Sequence, residues 1–86
     1  MDINQLISIV KYKINENFFV EDLKIEDKSF LHKKHKGNQQ GKFHLKIIIR
    51  SQELKKMNKL NSTKKIYKIL DNELDKYIHS IQILIN

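Results

Sequence analysis

The segment that most limits the fold lies at residues 42–50, where two sets of side chains alternate. One set is Phe43, Leu45, Ile47 and Ile49, and the other is His44, Lys46, Ile48 and Arg50. Successive side chains of a β-strand point to opposite faces, so this period of two predicts a strand with one buried face. His44 belongs to the less apolar set and is expected to be exposed or hydrogen-bonded. A strand of this kind requires a covering layer on its apolar face.

Amphipathic helices are predicted before and after this strand. The first follows Asp2, a suitable N-cap, and ends near Asn17. Its apolar residues recur at helical spacing and are Ile3, Leu6, Ile7, Val10 and Ile14. The second helix is expected to begin at Asn61 or Ser62, either of which can cap it. Its buried stripe comprises Ile66, Ile69, Leu70 and Leu74, with Tyr67 and Tyr77 beside it.

Two further strands and a short turn complete the predicted elements. Residues 20–26 alternate loosely, residues 78–85 are rich in β-branched side chains, and residues 53–57 can form a helical turn. The order is therefore helix, strand, strand, short turn, helix, strand. Two helices on one face of a three-stranded sheet make an α+β two-layer sandwich. We expect one domain spanning residues 1–86, because the chain has no internal repeat and no long linker.

Several classes of function are disfavoured by what the sequence lacks. The chain has no cysteine, which excludes disulfides, Cys nucleophiles and thiolate metal sites built within the chain. Its serines lie in no nucleophile-elbow motif and it has no Gly-rich phosphate loop, so an enzyme is not expected. We find no signal peptide and no apolar stretch of about 20 residues, and we expect a cytoplasmic protein without membrane contact.

Positive charge is concentrated in the middle of the chain. The net charge is +7, and residues 28–68 hold thirteen Lys and Arg residues against one acid, Glu53. Such a field attracts phosphate backbones or an acidic partner. The candidate nucleic-acid contacts are Arg50, Lys55, Lys56, Lys59, Lys64, Lys65 and Lys68. A solvated lysine face, or an AT-rich coding sequence that favours Lys, explains the charge equally well, and both interpretations stay open.

Histidine is the residue type here that is best suited to bind a metal. His32 and His35 lie within residues 28–41, a glycine-bounded stretch predicted to be a long exposed loop, where a solvated histidine is the commoner case. His79 lies between the second helix and the last strand, where a ring nitrogen can reach a partner. A mononuclear site formed by all three in the isolated chain is the least favoured arrangement, because a long loop does not preorganise ligands.

Several short motifs, in their order and spacing, resemble those of BolA-like proteins. Residues 27–37 are similar to the loop D-x-S-x-x-H-x-x-H-x-G of that family. Four later segments of the chain resemble further motifs of the family. Residues 41–45 resemble G-x-x-HF, residues 51–54 resemble S-x-x-F, residues 66–74 resemble VY-x-x-L-x-x-E-L, and residues 78–81 resemble (I/V)HAL. Together they extend over most of the chain.

This resemblance implies an α-β-β-α-α-β fold related to class II KH domains, and it implies two functions. The first is pairing with a monothiol glutaredoxin, which supplies a cysteine together with glutathione. The two proteins then share a [2Fe-2S] cluster in iron–sulfur trafficking or in iron and stress sensing. The second is DNA binding in transcriptional regulation, linked to stress response.

The resemblance also implies the cluster ligands of this chain. His79 matches the family's ligand at the start of the last strand, and the loop ligand must be a histidine because cysteine is absent. His32 is favoured and His35 is the alternative. No cofactor is expected in the isolated chain, which we expect to be a monomer. Residues 62–64 replace the family's Arg-His-Arg with Ser-Thr-Lys, which favours cluster sharing over specific DNA recognition.

Overall fold

The structure is a computed structural model that describes residues 1–29 and 42–86. Its elements, in chain order, are α1 (Ile3–Asn17), β1 (Asp22–Asp27), β2 (Phe43–Arg50), α2 (Gln52–Lys55), α3 (Lys59–Ile69), α4 (Asp71–Lys76) and β3 (Ile78–Ile85). The predicted α+β fold with a three-stranded sheet is confirmed, as are the strands predicted at residues 42–50 and 78–85. The first strand begins at Asp22 instead of residue 20. Kinship with class II KH domains stays a prediction.

The sheet has the strand order β1-β2-β3, with β2 in the centre. β1 is antiparallel to β2, and Ile25 lies opposite Ile47. β3 is parallel to β2, and Ile83 lies on the other side of Ile47. Parallel strands cannot be joined by a tight hairpin, so α2, α3 and α4 form the crossover between β2 and β3. β1 and β3 are therefore the two edges of the sheet.

The core lies between one face of the sheet and the helices that cover it. Leu45, Ile47 and Ile49 of β2 are buried on this face, as the period of two predicts, and His44 is buried on the other face. The buried apolar residues are Leu6, Val10, Ile14, Leu45, Ile47, Ile49, Leu54, Ile66, Leu70 and Ile78. Asp2 caps α1 as predicted, because its Oδ1 accepts the Gln5 N–H at 2.8 Å while Gln5 Oε1 accepts the Asp2 N–H at 3.0 Å.

The second long helix begins earlier than predicted and is interrupted. Asn58, whose backbone is extended, caps α3 by accepting the Asn61 N–H at 2.8 Å, so the prediction of Asn61 or Ser62 as the cap is wrong. Ser62 is instead buried within α3, where its hydroxyl donates to the Lys59 carbonyl. Leu70 has a non-helical backbone with φ −101° and ψ 13°, and it separates α3 from α4.

The structure describes the turn predicted after β2, but it leaves out most of the loop predicted between β1 and β2. The turn predicted at residues 53–57 is the short helix α2, which begins earlier because Ser51 Oγ accepts the Leu54 N–H at 3.2 Å. The loop predicted at residues 28–41 falls largely outside the described residues, and so do His32 and His35. Within residues 1–29 and 42–86, none of the helices has the length and apolar character of a membrane span.

Candidate functional site

A β-bulge at the start of β3 exposes His79. Phe43 pairs with Ile78, but the next residue of β2, His44, pairs with Ser80, so His79 is the extra residue on β3. Such a bulge shifts the phase of the side chains along the strand. Ile78 is consequently buried, whereas His79 and Ser80 are both exposed before the regular alternation resumes. The imidazole of His79 lies on the face of the sheet opposite the helices.

His44 supports the ring of His79 on that face. The two ring centroids are 5.0 Å apart and the ring planes are inclined by 65°, an edge-on contact. His44 is only 4% exposed, and its Nδ1 lies 2.6 Å from Ser80 Oγ. Ser80 is placed there by the bulge, directly across from His44. The hydrogen bond fixes the orientation of the His44 ring, which gives His79 a defined surface to pack against.

Ser29, just after the end of β1, is hydrogen-bonded to the backbone of His44. The Ser29 hydroxyl accepts a hydrogen bond from the His44 N–H at 3.1 Å, and the Ser29 N–H donates to Asp27 Oδ1 at 2.9 Å. The Lys28 N–H donates to the His44 carbonyl at 2.7 Å. The segment that carries His32 and His35 therefore begins, after Ser29, next to His44, whose ring contacts His79.

Near the end of the sheet that carries His79, the acidic Glu26 at the end of β1 lies close to lysine side chains. Glu26 Oε2 lies 3.3 Å from Lys28 Nζ, and Glu26 also pairs across the strands with Lys46. The hydrogen bond from Lys28 is the main influence that holds the pKa of Glu26 below its ordinary value, and Lys24 and Lys46 act in the same direction against a smaller effect of burial. This carboxylate is therefore ionised at neutral pH and is balanced by lysines.

The donor chemistry of His79 fits one ligand position of a [2Fe-2S] cluster. A neutral imidazole replaces thiolate on one iron of some [2Fe-2S] centres and raises their potential. His79 is exposed, and its neighbour His44 is buried and holds Ser80 through Nδ1. No group of three or more His, Cys, Asp or Glu side chains suited to hold a metal ion is found in the part of the chain that the structure describes.

Three of the basic candidates converge at one end of the sheet. Arg50, Lys55 and Lys56 line a shallow pocket beyond the end of β2, together with Glu21 and Gln52. All three cations are exposed. This end is opposite to the one that carries His79, since β2 and β3 run parallel and His79 lies near the start of β3. The predicted cluster ligand and these cations therefore belong to separate surfaces.

The remaining basic candidates, Lys59, Lys64, Lys65 and Lys68, are exposed as well. Lys59 lines a neighbouring groove with Lys55. Lys64 and Lys68 are one helical turn apart on α3, on the side away from the buried Ile66, and Lys65 lies beside them. The assignment of these seven residues to nucleic-acid contact stays a prediction.

Sequence reasoning left the paired roles of His44 and Ser80 unidentified. The hydrogen bond to Ser80 agrees with the prediction for His44, but its nearly complete burial was not foreseen. One sequence signal was available. Ile81, Ile83 and Ile85 alternate in the sequence, but Ile78 lies three positions before Ile81, and this break in the period of two is typical of a bulge.

The fold and the site define a small α+β domain that presents a histidine from a bulged edge strand. The chain belongs to the BolA-like family, because the family model described as BolA-like protein matches residues 14–86. The resemblance inferred from the short motifs is thereby confirmed.

Similar proteins agree with this assignment. DNA-binding transcriptional regulator BolA from Haemophilus influenzae is 32% identical over 75 residues, which cover 87% of this chain and 70% of that protein. BolA1 from Arabidopsis thaliana has a TM-score of 0.77 and 28% identity, with 92% of this chain and 87% of that one covered. The BolA domain of SufE1 from Arabidopsis thaliana shares the fold, with a TM-score of 0.76, 21% identity, and coverage of 100% and 93%.

Proposed function

We propose that this chain is the partner of a monothiol glutaredoxin and shares a [2Fe-2S] cluster with it, in iron–sulfur trafficking or in iron and stress sensing. The observation that carries the proposal is the exposed imidazole of His79, presented by a bulge and packed on the fixed ring of His44. The glutaredoxin would contribute its cysteine and glutathione. This chain would contribute His79 and one histidine of the segment after Ser29.

His32 is the proposed second ligand, with His35 as the alternative. His32 follows Ser29 by three residues, and three residues of extended chain span at most about 11 Å. Ser29 is itself bonded to His44, whose ring contacts His79. His35 follows Ser29 by six residues, and its reach of about 22 Å constrains it far less. Chain connectivity therefore favours His32.

Each residue of the site has a separate task in this proposal. His79 would supply a nitrogen lone pair to iron, which requires the neutral imidazole. His44 limits the rotation of the His79 ring, and Ser80 holds His44 through Nδ1. Removing outer groups that orient a ligand in this way commonly lowers metal affinity by about 10- to 100-fold. A bound [2Fe-2S] cluster would supply one-electron chemistry and could be passed to another protein.

Reconstitution tests the proposal directly. The chain is mixed with a monothiol glutaredoxin, iron, sulfide and glutathione, and the products are followed by visible circular dichroism and size-exclusion chromatography. We expect a heterodimer whose spectrum differs from that of the glutaredoxin homodimer. The variant His79→Cys should retain a cluster with a lower reduction potential, because thiolate replaces imidazole. An unchanged homodimer spectrum without a heterodimer would contradict the proposal.

A DNA-binding regulator is the second candidate function. Two observations favour it: the name of the Haemophilus influenzae relative and the convergence of Arg50, Lys55 and Lys56 at one pocket. Lysine is a point charge, and base-specific bidentate contacts more often use arginine, so Arg50 is the best candidate for reading a base.

The salt dependence of DNA affinity tests this second candidate. The double variant Lys55→Gln/Lys56→Gln should reduce the slope of log K against log salt by about one for each phosphate that the protein no longer neutralises. Lys64→Gln/Lys68→Gln removes the same charge from the outer side of α3 and serves as the control. Binding that is equally sensitive to both changes and indifferent to DNA sequence would reduce the interaction to general polycation behaviour.

A further inference from the structure

The two edges of the sheet are protected very differently. β1 carries charged side chains along most of its length, namely Asp22, Lys24, Glu26 and Asp27. Charged residues on an edge strand are a common device against pairing with another chain. β3 has the sequence IHSIQILI, with no charged residue and no proline. A long apolar edge of this kind is a template for the addition of another strand.

The backbone groups available on β3 follow from its pairing with β2. The Asn86 N–H donates to the Ile49 carbonyl at 2.7 Å, and the Asn86 carbonyl accepts the Ser51 N–H at 3.2 Å. Backbone direction alternates along a strand, so Ile81, Ile83 and Ile85 turn their N–H and C=O groups away from β2. Among the residues that the structure describes, none forms a hydrogen bond with these outward groups.

We propose that β3 pairs with β3 of a second copy of this chain, antiparallel about a two-fold axis at Ile83. In that register Ile83 lies opposite Ile83 of the second copy, and Ile81 lies opposite Ile85. These are the residues with outward backbone groups, so each pair can exchange both hydrogen bonds. The two sheets then become continuous, and the isologous contact closes without leaving a β3 edge.

An apolar groove beside the second half of β3 suits this arrangement. It has a volume of about 380 Å³, and its apolar lining includes Leu54, Met57, Ile83 and Ile85. Side chains directly across an antiparallel pair lie on the same face of the sheet. Ile81 of the second copy therefore stands next to Ile85 on the helix side, where its side chain can enter the groove.

Charge complementarity favours a second copy as the occupant. Lys55 and Lys59 line the groove at the second half of β3. Asp71 and Asp75 are exposed on α4 against one exposed cation, Lys76, and this helix packs against β3 and leads into its first residue. An antiparallel pair brings the second half of each strand against the first half of the other. The basic end of each copy thus lies toward the acidic end of its partner.

The dimer is tested with the full chain by sedimentation over a wide range of concentration and by amide hydrogen exchange. In dilute solution Ile81, Ile83 and Ile85 should exchange fast, whereas the residues between them are protected by β2. At high concentration the mass should double and these three amides should gain protection. A monomer mass throughout, or a dimer that protects other amides and not these, would overturn the proposal in favour of the monomer expected from the sequence.

A matched pair of variants sharpens the test. Leu84→Lys places a charge on the exposed face of β3 and should weaken dimerisation by at least about tenfold, since the two added lysines, each opposite Gln82 of the other copy, are then diagonal neighbours on one face and repel each other. Ile48→Lys adds the same charge on the same face of the adjacent strand and should leave the dimer intact. Equal effects of the two changes would contradict edge pairing, as would a dimer that strengthens with added salt. His79 takes no part, so this outcome is independent of the glutaredoxin test.

Discussion

Glu73 is the clearest case in which one residue sets the pH response of this fold. Its side chain is buried, and its carboxylate accepts two hydrogen bonds from Lys13 Nζ, at 2.7 and 2.9 Å. Burial by itself raises the pKa of Glu73, but the hydrogen bonds from Lys13 and Asn72 prevail and hold that pKa below its ordinary value. The ionised carboxylate therefore stabilises the folded state at neutral pH. This stabilisation is lost as the pH falls through the folded-state pKa.

Replacing Lys13 with Met should reverse this balance. Glu73 would remain buried without its cation, so we expect a loss of about 1.5–3 kcal/mol in unfolding free energy at pH 7. The pKa of Glu73 should rise, and acid unfolding should begin at a higher pH. Urea titrations across the acid range measure both effects. Lys11→Met, an exposed lysine on the same helix, is the control, and equal losses in the two variants would contradict the assignment.

Ser80 is expected to act through His44. Ser80→Ala removes the hydroxyl 2.6 Å from His44 Nδ1 and should lower the unfolding free energy by about 1 kcal/mol. The same change should shift the His79 side-chain resonances, because the His44 ring that they contact loses this hydrogen bond. Gln82→Ala, at an exposed position on the same strand, is the control for thermal unfolding and NMR. Unaltered His79 resonances in Ser80→Ala would show that His44 does not position His79.

At the scale of single elements, the start of α3 offers a comparison between two neighbouring asparagines. Asn58 accepts the Asn61 N–H as the helix cap, whereas Asn61 lies within the first turns of the helix and is exposed. Asn58→Ala should reduce the unfolding free energy by about 1 kcal/mol. Asn61→Ala should be neutral or slightly stabilising, because Ala has the higher helix propensity. A larger loss of unfolding free energy for Asn61→Ala than for Asn58→Ala in urea unfolding would mean that Asn61, as expected from the sequence, is the cap of α3.

The strands were predictable where the pattern of side chains is local. The strict alternation through Ile47 and Ile49 fixed β2, and the run of β-branched residues fixed β3. The end of α3 was not predictable, because Ile66, Leu70 and Leu74 keep helical spacing through the break at Leu70. The cap of α3 was not predictable either. Several neighbouring polar residues can cap this helix, and the choice among them depends on the tertiary position of the helix.

The site was predictable in composition but not in geometry. His79 could be selected from its motif and its place before the last strand. The bulge that exposes it depends on how β3 pairs with β2, and that pairing joins residues distant in sequence. The burial of His44 has the same cause. Arg50, Lys55 and Lys56 line one pocket because of the way α2 follows β2. The sequence therefore predicted that these residues are basic candidates, but it did not show that these three form a group apart from the lysines of α3.

At the scale of the whole molecule, the charge distribution affects stability. The chain carries a net charge of +7, and most of its cations lie between β1 and the end of α3. Self-repulsion of this kind destabilises the compact state and is screened by salt. We expect the melting temperature to rise by several degrees on addition of sodium chloride, where about 4–8 °C corresponds to 1 kcal/mol for a domain of this size.

A double variant checks that this effect of salt on the melting temperature is electrostatic. Lys64→Gln/Lys68→Gln lowers the net charge on an exposed helix side without touching the core, so its melting temperature should depend less on salt. Calorimetry at increasing salt concentration compares it with the natural chain. A melting temperature that falls with salt in the natural chain would mean that favourable pairs such as Lys13 with Glu73 outweigh the repulsion.

The proposed role of His79 is tested most sharply by comparing His79→Ala with Gln82→Ala in complex formation with a monothiol glutaredoxin, iron, sulfide and glutathione. Both positions are exposed on β3, but only the imidazole is proposed as a ligand. We expect His79→Ala to abolish the mixed-cluster spectrum and the heterodimer, and Gln82→Ala to retain both. A mixed cluster that survives in His79→Ala with an unchanged spectrum would contradict the assignment of His79 as a cluster ligand.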